Sequence, residues 1–193
     1  MRRKALLFYL LFVFLAVNVP AFAHEGHEDE VVTVAEKVSL LGFDGVRGMI
    51  NPHPLFVHLP MALFLASTLF YLLGALTKKN SLLEAGRWTL FLGTLSAVPA
   101  VWSGLGAEDT VEHGAQVHRI IELHENIAFA LLGSGALLSV WLIAVKKTLP
   151  EKGRGIFLAA LVLLAVLTLQ QADLGGRMVY LHGTGVRQES RQS

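Results

Sequence analysis

The amino-acid sequence predicts an all-α integral membrane protein: a four-helix up-down-up-down bundle behind a cleaved signal peptide. Three observations lead there. The chain is 53% hydrophobic and only 16% charged, outside the usual composition of soluble domains. Beyond residue 50 it contains four apolar segments, each close to the roughly 20 residues that span a hydrocarbon core. Its basic residues collect in alternate connections between those segments.

The first 23 residues read as a secretory signal. Arg2, Arg3 and Lys4 form a positive start, Ala5 to Val19 an apolar stretch, and Ala21-Phe22-Ala23 a small-x-small cleavage site. An acidic and then amphipathic segment follows over residues 24–50. It begins His24-Glu25-Gly26-His27-Glu28-Asp29-Glu30, and its part from Val31 to Ile50 is read as a helix lying on the membrane face. Residues 51–186 form the transmembrane domain and 187–193 a C-terminal tail.

The four spans run from about Leu55 to Leu76, Trp88 to Ala107, Ile120 to Val145 and Ile156 to Leu174. In lipid each must be a helix, since every backbone donor has to be satisfied within its own segment. Lys78, Lys79 and Arg87 mark the first connection; Lys146, Lys147, Lys152 and Arg154 mark the third. In the rest of the mature chain acids outnumber bases by about two to one. The positive-inside rule therefore puts the two basic connections in the cytoplasm and both mature termini on the exported side of a bacterial inner membrane. Short connections make neighbouring helices antiparallel. Gly93 and Ser96, and the run Gly133-Ser134-Gly135-Ala136, supply small residues for close helix approach. The glycine pair would also make room for a flat macrocycle. Pro60 and Pro99 lie inside spans.

Composition excludes several function classes. With a net charge of +1 before signal removal, no strongly basic face exists for nucleic acid. There are no cysteines, so covalent c-type haem attachment and thiolate metal sites are ruled out. No nucleophile elbow, phosphate loop or zinc-protease motif occurs.

All eight histidines fall on the exported side of this topology. Imidazole is the commonest side-chain ligand for haem iron, copper and zinc. His53 sits between Pro52 and Pro54, read as extended chain before the first helix. His58 lies one turn inside, where an ionisable residue normally points into the bundle. His113 and His118 occupy the central connection, and His118 and Glu122 are four apart, which suits a metal pair or an imidazole held by its carboxylate. His124 borders the third span. The first and third helices are diagonal and parallel, so His58 and His124 are expected to face each other across the core. Gly175-Gly176 is read as the stop of the fourth helix. Asp173 and Arg177 are spaced to pair, Tyr180 suits the interface, and His182 sits in a surface turn.

At Pro52-His53-Pro54 through Val57-His58-Leu59-Pro60, and at Leu174-Gly175-Gly176 through Val179-Tyr180-Leu181-His182-Gly183-Thr184-Gly185-Val186, the chain resembles a bacterial membrane family catalogued as domain of unknown function 2231. The resemblance runs from Asn51 to about Val186; Leu59 and Thr184 stand where Phe and Val are expected. It implies redox work, because family members often accompany c-type cytochromes and other respiratory parts. It implies no established reaction.

Three functions follow as expectations. The leading one is a b-type haem subunit passing electrons between the quinone pool and an exported respiratory or c-type cytochrome partner. His58 and His124 would be its axial ligands, with His118 and His182 as a second pair. The next is a structural membrane anchor or assembly subunit of a respiratory complex. The third is copper or zinc binding by His58, His124, His118, His182, His53 and His113, with Glu122, Asp173 and Arg177 in support.

Overall fold

The computed structural model describes residues 41–111 and 113–186. The signal peptide, residues 24–40 and the tail 187–193 therefore lie outside the described residues. Four helices are long and apolar enough to cross a membrane: α1 (His53–Thr77), α2 (Asn80–Glu108), α3 (Ala115–Val145) and α4 (Arg154–Gly176). No strand occurs among the described residues. Of the amphipathic helix expected up to Ile50, the described part from Asp44 shows one helical turn, Asp44–Arg47, tied by an Arg47–Asp44 ion pair.

Neighbouring helices in sequence pack on each other, α4 closes against α1, and the backbones of the diagonal pairs α1/α3 and α2/α4 stay apart. This is the up-down-up-down ring. All helix starts and stops near His53, Glu108, Ala115 and Gly176 share one end, the histidine end. Lys78, Lys79, Lys146 and Arg154 mark the other, the lysine end.

The lysine-end half is solid. Tyr71, Leu90, Leu142, Phe157, Leu161 and Leu164 are almost wholly buried, with the Tyr71 and Trp141 rings edge-on to Phe157. Small residues set the α1–α2 seam. A Cβ on Gly86 would lie 2.8 Å from the Tyr71 ring, and one on Gly93 would lie 2.9 Å from Phe64. Hydroxyls bridge helices where lipid offers no partner. Ser67 Oγ donates to the Gly86 carbonyl at 2.9 Å, and Thr68 Oγ1 to the Leu161 carbonyl at 2.9 Å.

Two boundaries differ from expectation. α1 starts at His53 itself, two residues before Leu55, because Pro54 at the first positions of a helix needs no backbone donor and arrives with helical φ. Gly175-Gly176 does not end α4; the helix runs on into a π-helical turn, Arg177–Leu181. The reversal comes later, at Gly183 and Gly185, both at positive φ. Pro60 and Pro99 lie inside α1 and α2.

Candidate functional site

The histidine end is hollow. A cavity of about 630 Å³ lies there, lined by residues of all four helices and by Met49, Ile50 and the turn after α4. Its walls are mostly apolar, with large side chains such as Met61, Phe64 and Phe129 beside the small Ala97, Ala100, Ala128, Ala172 and Gly175. His53, His58, Glu108, His124, Glu125 and Gln171 are the polar residues of note on its lining.

Across the bundle diagonal, His53 on α1 and His124 on α3 approach with ring centroids 6.3 Å apart and planes at 78°. The sequence expectation set His58 in that place. His58 instead projects from an exposed position, its Nδ1–H donating to the Pro54 carbonyl at 2.7 Å. The reason is register. The buried stripe of α1 runs Tyr71, Ser67, Phe64, Pro60, and stepping back by further turns reaches Val57 and His53, one position short of His58. His58 still lines the cavity, but His53 faces His124.

The His53 ring is held from behind. Ser103 Oγ donates to the Ala100 carbonyl at 3.0 Å, so at its 3.2 Å contact with His53 it accepts from Nδ1–H. That fixes the tautomer and leaves Nε2 with a free lone pair. The missing side chain of Gly104 makes room for this ring: a Cβ there would stand 3.0 Å from His53 Cε1. Gly175 lies beside His124, whose Cε1 would be 3.7 Å from a Gly175 Cβ, an ordinary contact. Three cavity-lining residues carry buried atoms with no hydrogen-bond partner: His124 Nδ1, Glu125 Oε1 and Gln171 Oε1. Orphaned polar atoms are uncommon in folded proteins; Tyr71 OH and Arg87 Nε, nearer the lysine end, are unpaired in the same way.

A second group forms the rim. The His113 and His118 rings stack, 5.5 Å between centroids and 8° between planes. His118 Nδ1 lies 3.4 Å from Glu108 Oε1 at the end of α2. Glu108 had no place in the sequence reading, which paired His118 with Glu122; Glu122 is exposed and meets no imidazole among the described hydrogen bonds and ion pairs. His182, named with His118 as a second ligand pair, is exposed in the turn beyond α4, and the His118 ring lies next to His113. Asp173 and Arg177 do pair, at 2.7 Å, on an exposed face of α4 and its π-helical extension. Neither residue lines the cavity.

The glycine pair of α3 serves packing. A Cβ on Gly135 would meet Thr94 Oγ1 at 2.7 Å and the Phe64 ring at 3.1 Å, whereas Gly133 has open space around it. Neither glycine lines the cavity.

No curated protein and no solved structure matches the chain. One family model does, over residues 50–188, taking in all four helices and both histidine groups. The chain therefore belongs to the family described as "Predicted membrane protein (DUF2231)".

Proposed function

We propose that the cavity binds a b-type haem, held axially by His53 and His124, in a membrane electron-transfer subunit. It would work between the quinone pool and a redox partner on the exported side of a bacterial inner membrane, the side assigned to the histidine end by the charge rule. The observation that carries this is the diagonal imidazole pair across an apolar cavity of about 630 Å³. With metal–nitrogen bonds of about 2 Å on either side, two axial imidazoles hold their ring centres about 6 Å apart. The observed 6.3 Å meets that spacing. Axial ring planes are free to rotate about the metal–nitrogen bonds, so 78° between them is no obstacle. The volume lies within the usual range for small-molecule pockets.

The residues fit the group in chemical detail as well. Ser103 orients the His53 ring with its free nitrogen unprotonated, and His124 lines the same cavity. Bound there, the haem would supply one-electron transfer. The protein's own contribution would be to position the ligands and to keep the site dry.

Purified full-length protein should show a reduced-minus-oxidised α-band and retain haem through detergent extraction. His53→Ala and His124→Ala should each abolish the band, and His58→Ala should keep it. A colourless preparation from haem-replete cells would overturn the proposal. A second reading is favoured by the apolar walls with polar residues at one end: the cavity would then hold a quinone, its ring against the imidazoles. Organic extraction of a colourless preparation would reveal that occupant.

A further inference from the structure

We propose that Glu108, His113 and His118 form a separate binding site for a divalent transition-metal ion of the zinc type, fastening α2 to α3 at the rim of the cavity. One ligand atom from each of these residues lies within 4.8 Å of those from the other two, close enough to share one ion. The three come from the last residue of α2, the connection, and the first turn of α3.

The hydrogen bonds prepare the donors. His113 Nδ1–H donates to the Val111 carbonyl at 2.8 Å, which leaves Nε2 as a lone-pair donor. That Nε2 stands 3.3 Å from His118 Nδ1, which in turn stands 3.4 Å from Glu108 Oε1. A single hydrogen on His118 Nδ1 has to serve both an imidazole lone pair and a carboxylate. A cation placed among the three satisfies all of them at once.

Charge gives an independent reason. Glu125, next to His124 in sequence, lines the same cavity as Glu108. Its Oε1 is buried without a partner. Among the described residues, no lysine or arginine pairs with Glu108 or Glu125; the ion pairs formed by basic chains lie elsewhere. Glu108 with the two imidazoles makes an acidic, nitrogen-containing donor set. Two imidazoles with a carboxylate select a borderline ion such as Zn²⁺ over Ca²⁺ or Mg²⁺, which prefer all-oxygen shells. Three protein ligands also leave a position open for water or a partner's side chain.

The site does not depend on the haem reading, because none of its ligands is His53 or His124. The test is a titration of metal-stripped, detergent-purified full-length protein with ZnCl₂, followed by calorimetry and by elemental analysis. One zinc per chain is expected. His113→Ala, His118→Ala and Glu108→Gln should each weaken binding by about 10-fold or more, since even indirect partners of a metal ligand cost about 10–100-fold. Far-UV circular dichroism checks that each variant keeps its helix content, and Glu108→Gln, the mildest change, serves if an alanine variant does not fold. The double variant His53→Ala/His124→Ala should bind zinc as the parent does. So should His24→Ala/His27→Ala, which removes the two histidines of the N-terminal segment as competitors. Absence of zinc binding, binding unchanged in the folded His113, His118 and Glu108 variants, or binding lost with His24 and His27 would each overturn the proposal.

Discussion

Alanine at Gly133 and alanine at Gly135 should move stability in opposite directions, although the two sites are one residue apart on the same helix. Replacing glycine by alanine in a helix interior gains about 0.5–1 kcal/mol, because the unfolded chain has less freedom to lose. At Gly133 nothing stands within 4 Å of the new Cβ, so the whole gain should appear. At Gly135 the Cβ would be 2.7 Å from Thr94 Oγ1 and 3.1 and 3.2 Å from two Phe64 ring carbons, all inside ordinary contact distance. Neither neighbour retreats easily. Thr94 Oγ1 donates to the Leu90 carbonyl at 2.9 Å and lies 3.3 Å from Ser139 Oγ. The Phe64 ring already rests on Gly93 across the seam. Overpacking of this kind costs about 1–3 kcal/mol. Both variants carry the same helix term, so the difference between them isolates packing and should be about 1–3 kcal/mol in favour of Gly133→Ala. Unfolding of the detergent-solubilised protein by SDS titration, followed by far-UV circular dichroism, measures it. Equal stability of the two variants would refute the assignment of Gly135 to the α2–α3–α1 seam.

Other perturbations test separate parts of the structure. Ser103→Ala removes the acceptor that orients His53 and should weaken haem retention by about 10–100-fold without unfolding the bundle, read by haem titration. Lys78 and Lys146 cap α1 and α3 at φ of 55° and 54°, a left-handed conformation that costs a side-chain-bearing residue about 1–2 kcal/mol. Lys146→Gly should therefore be more stable than Lys146→Ala by about 1 kcal/mol in the same SDS titration. Lys147 donates to Glu151 at 2.6 Å and holds that carboxyl below the usual range by hydrogen bond and charge. A carboxyl with a lowered folded pKa contributes stability above its unfolded pKa and loses it as pH falls through the folded one. Lys147→Gln should return Glu151 to ordinary titration, as seen by carboxyl carbon NMR, with a negligible change in melting because the pair is exposed.

The helices were legible because lipid leaves little choice: an apolar run of spanning length has to be helical, and charged or proline-containing connections bound it. The histidine end was legible from the same connections. What failed was phase. Reading His53 as extended chain, on account of its prolines, removed it from the very stripe it begins. The run His53, Val57, Pro60, Phe64, Ser67, Tyr71 carries the helical period in the sequence, and extending it backward from the apolar positions would have selected His53 over His58. Glu108 was passed over for another reason. It closes a span whose apolar run stops at Ala107, and nothing local says that a helix end will meet a histidine ten residues later. That contact depends on how the connection folds. Gly175-Gly176 shows the converse error, for a glycine pair that reads as a stop can keep helical backbone and pass into a π-helical turn.

The uneven filling of the bundle is itself an argument about function. Around the lysine end, Tyr71, Leu90, Leu142, Phe157 and Leu161 fill the interior. Around the histidine end the corresponding walls are Ala97, Ala100, Gly104, Ala128, Ala172 and Gly175. In lipid the helices gain nothing from the exclusion of water, so van der Waals packing and hydrogen bonds hold them together. A void of about 630 Å³ forgoes much of that packing in one half of the molecule. Three buried polar atoms without partners add to the cost. Small residues placed by chance along one helix would let that helix move inward and close the gap. Here they come from α1's three partners together, and the His53 imidazole on α1 is held in place by Ser103 and fits against Gly104. An occupant that restores the lost contacts would account for both features at once, and that is the reason for the proposal of a haem at this end of the bundle.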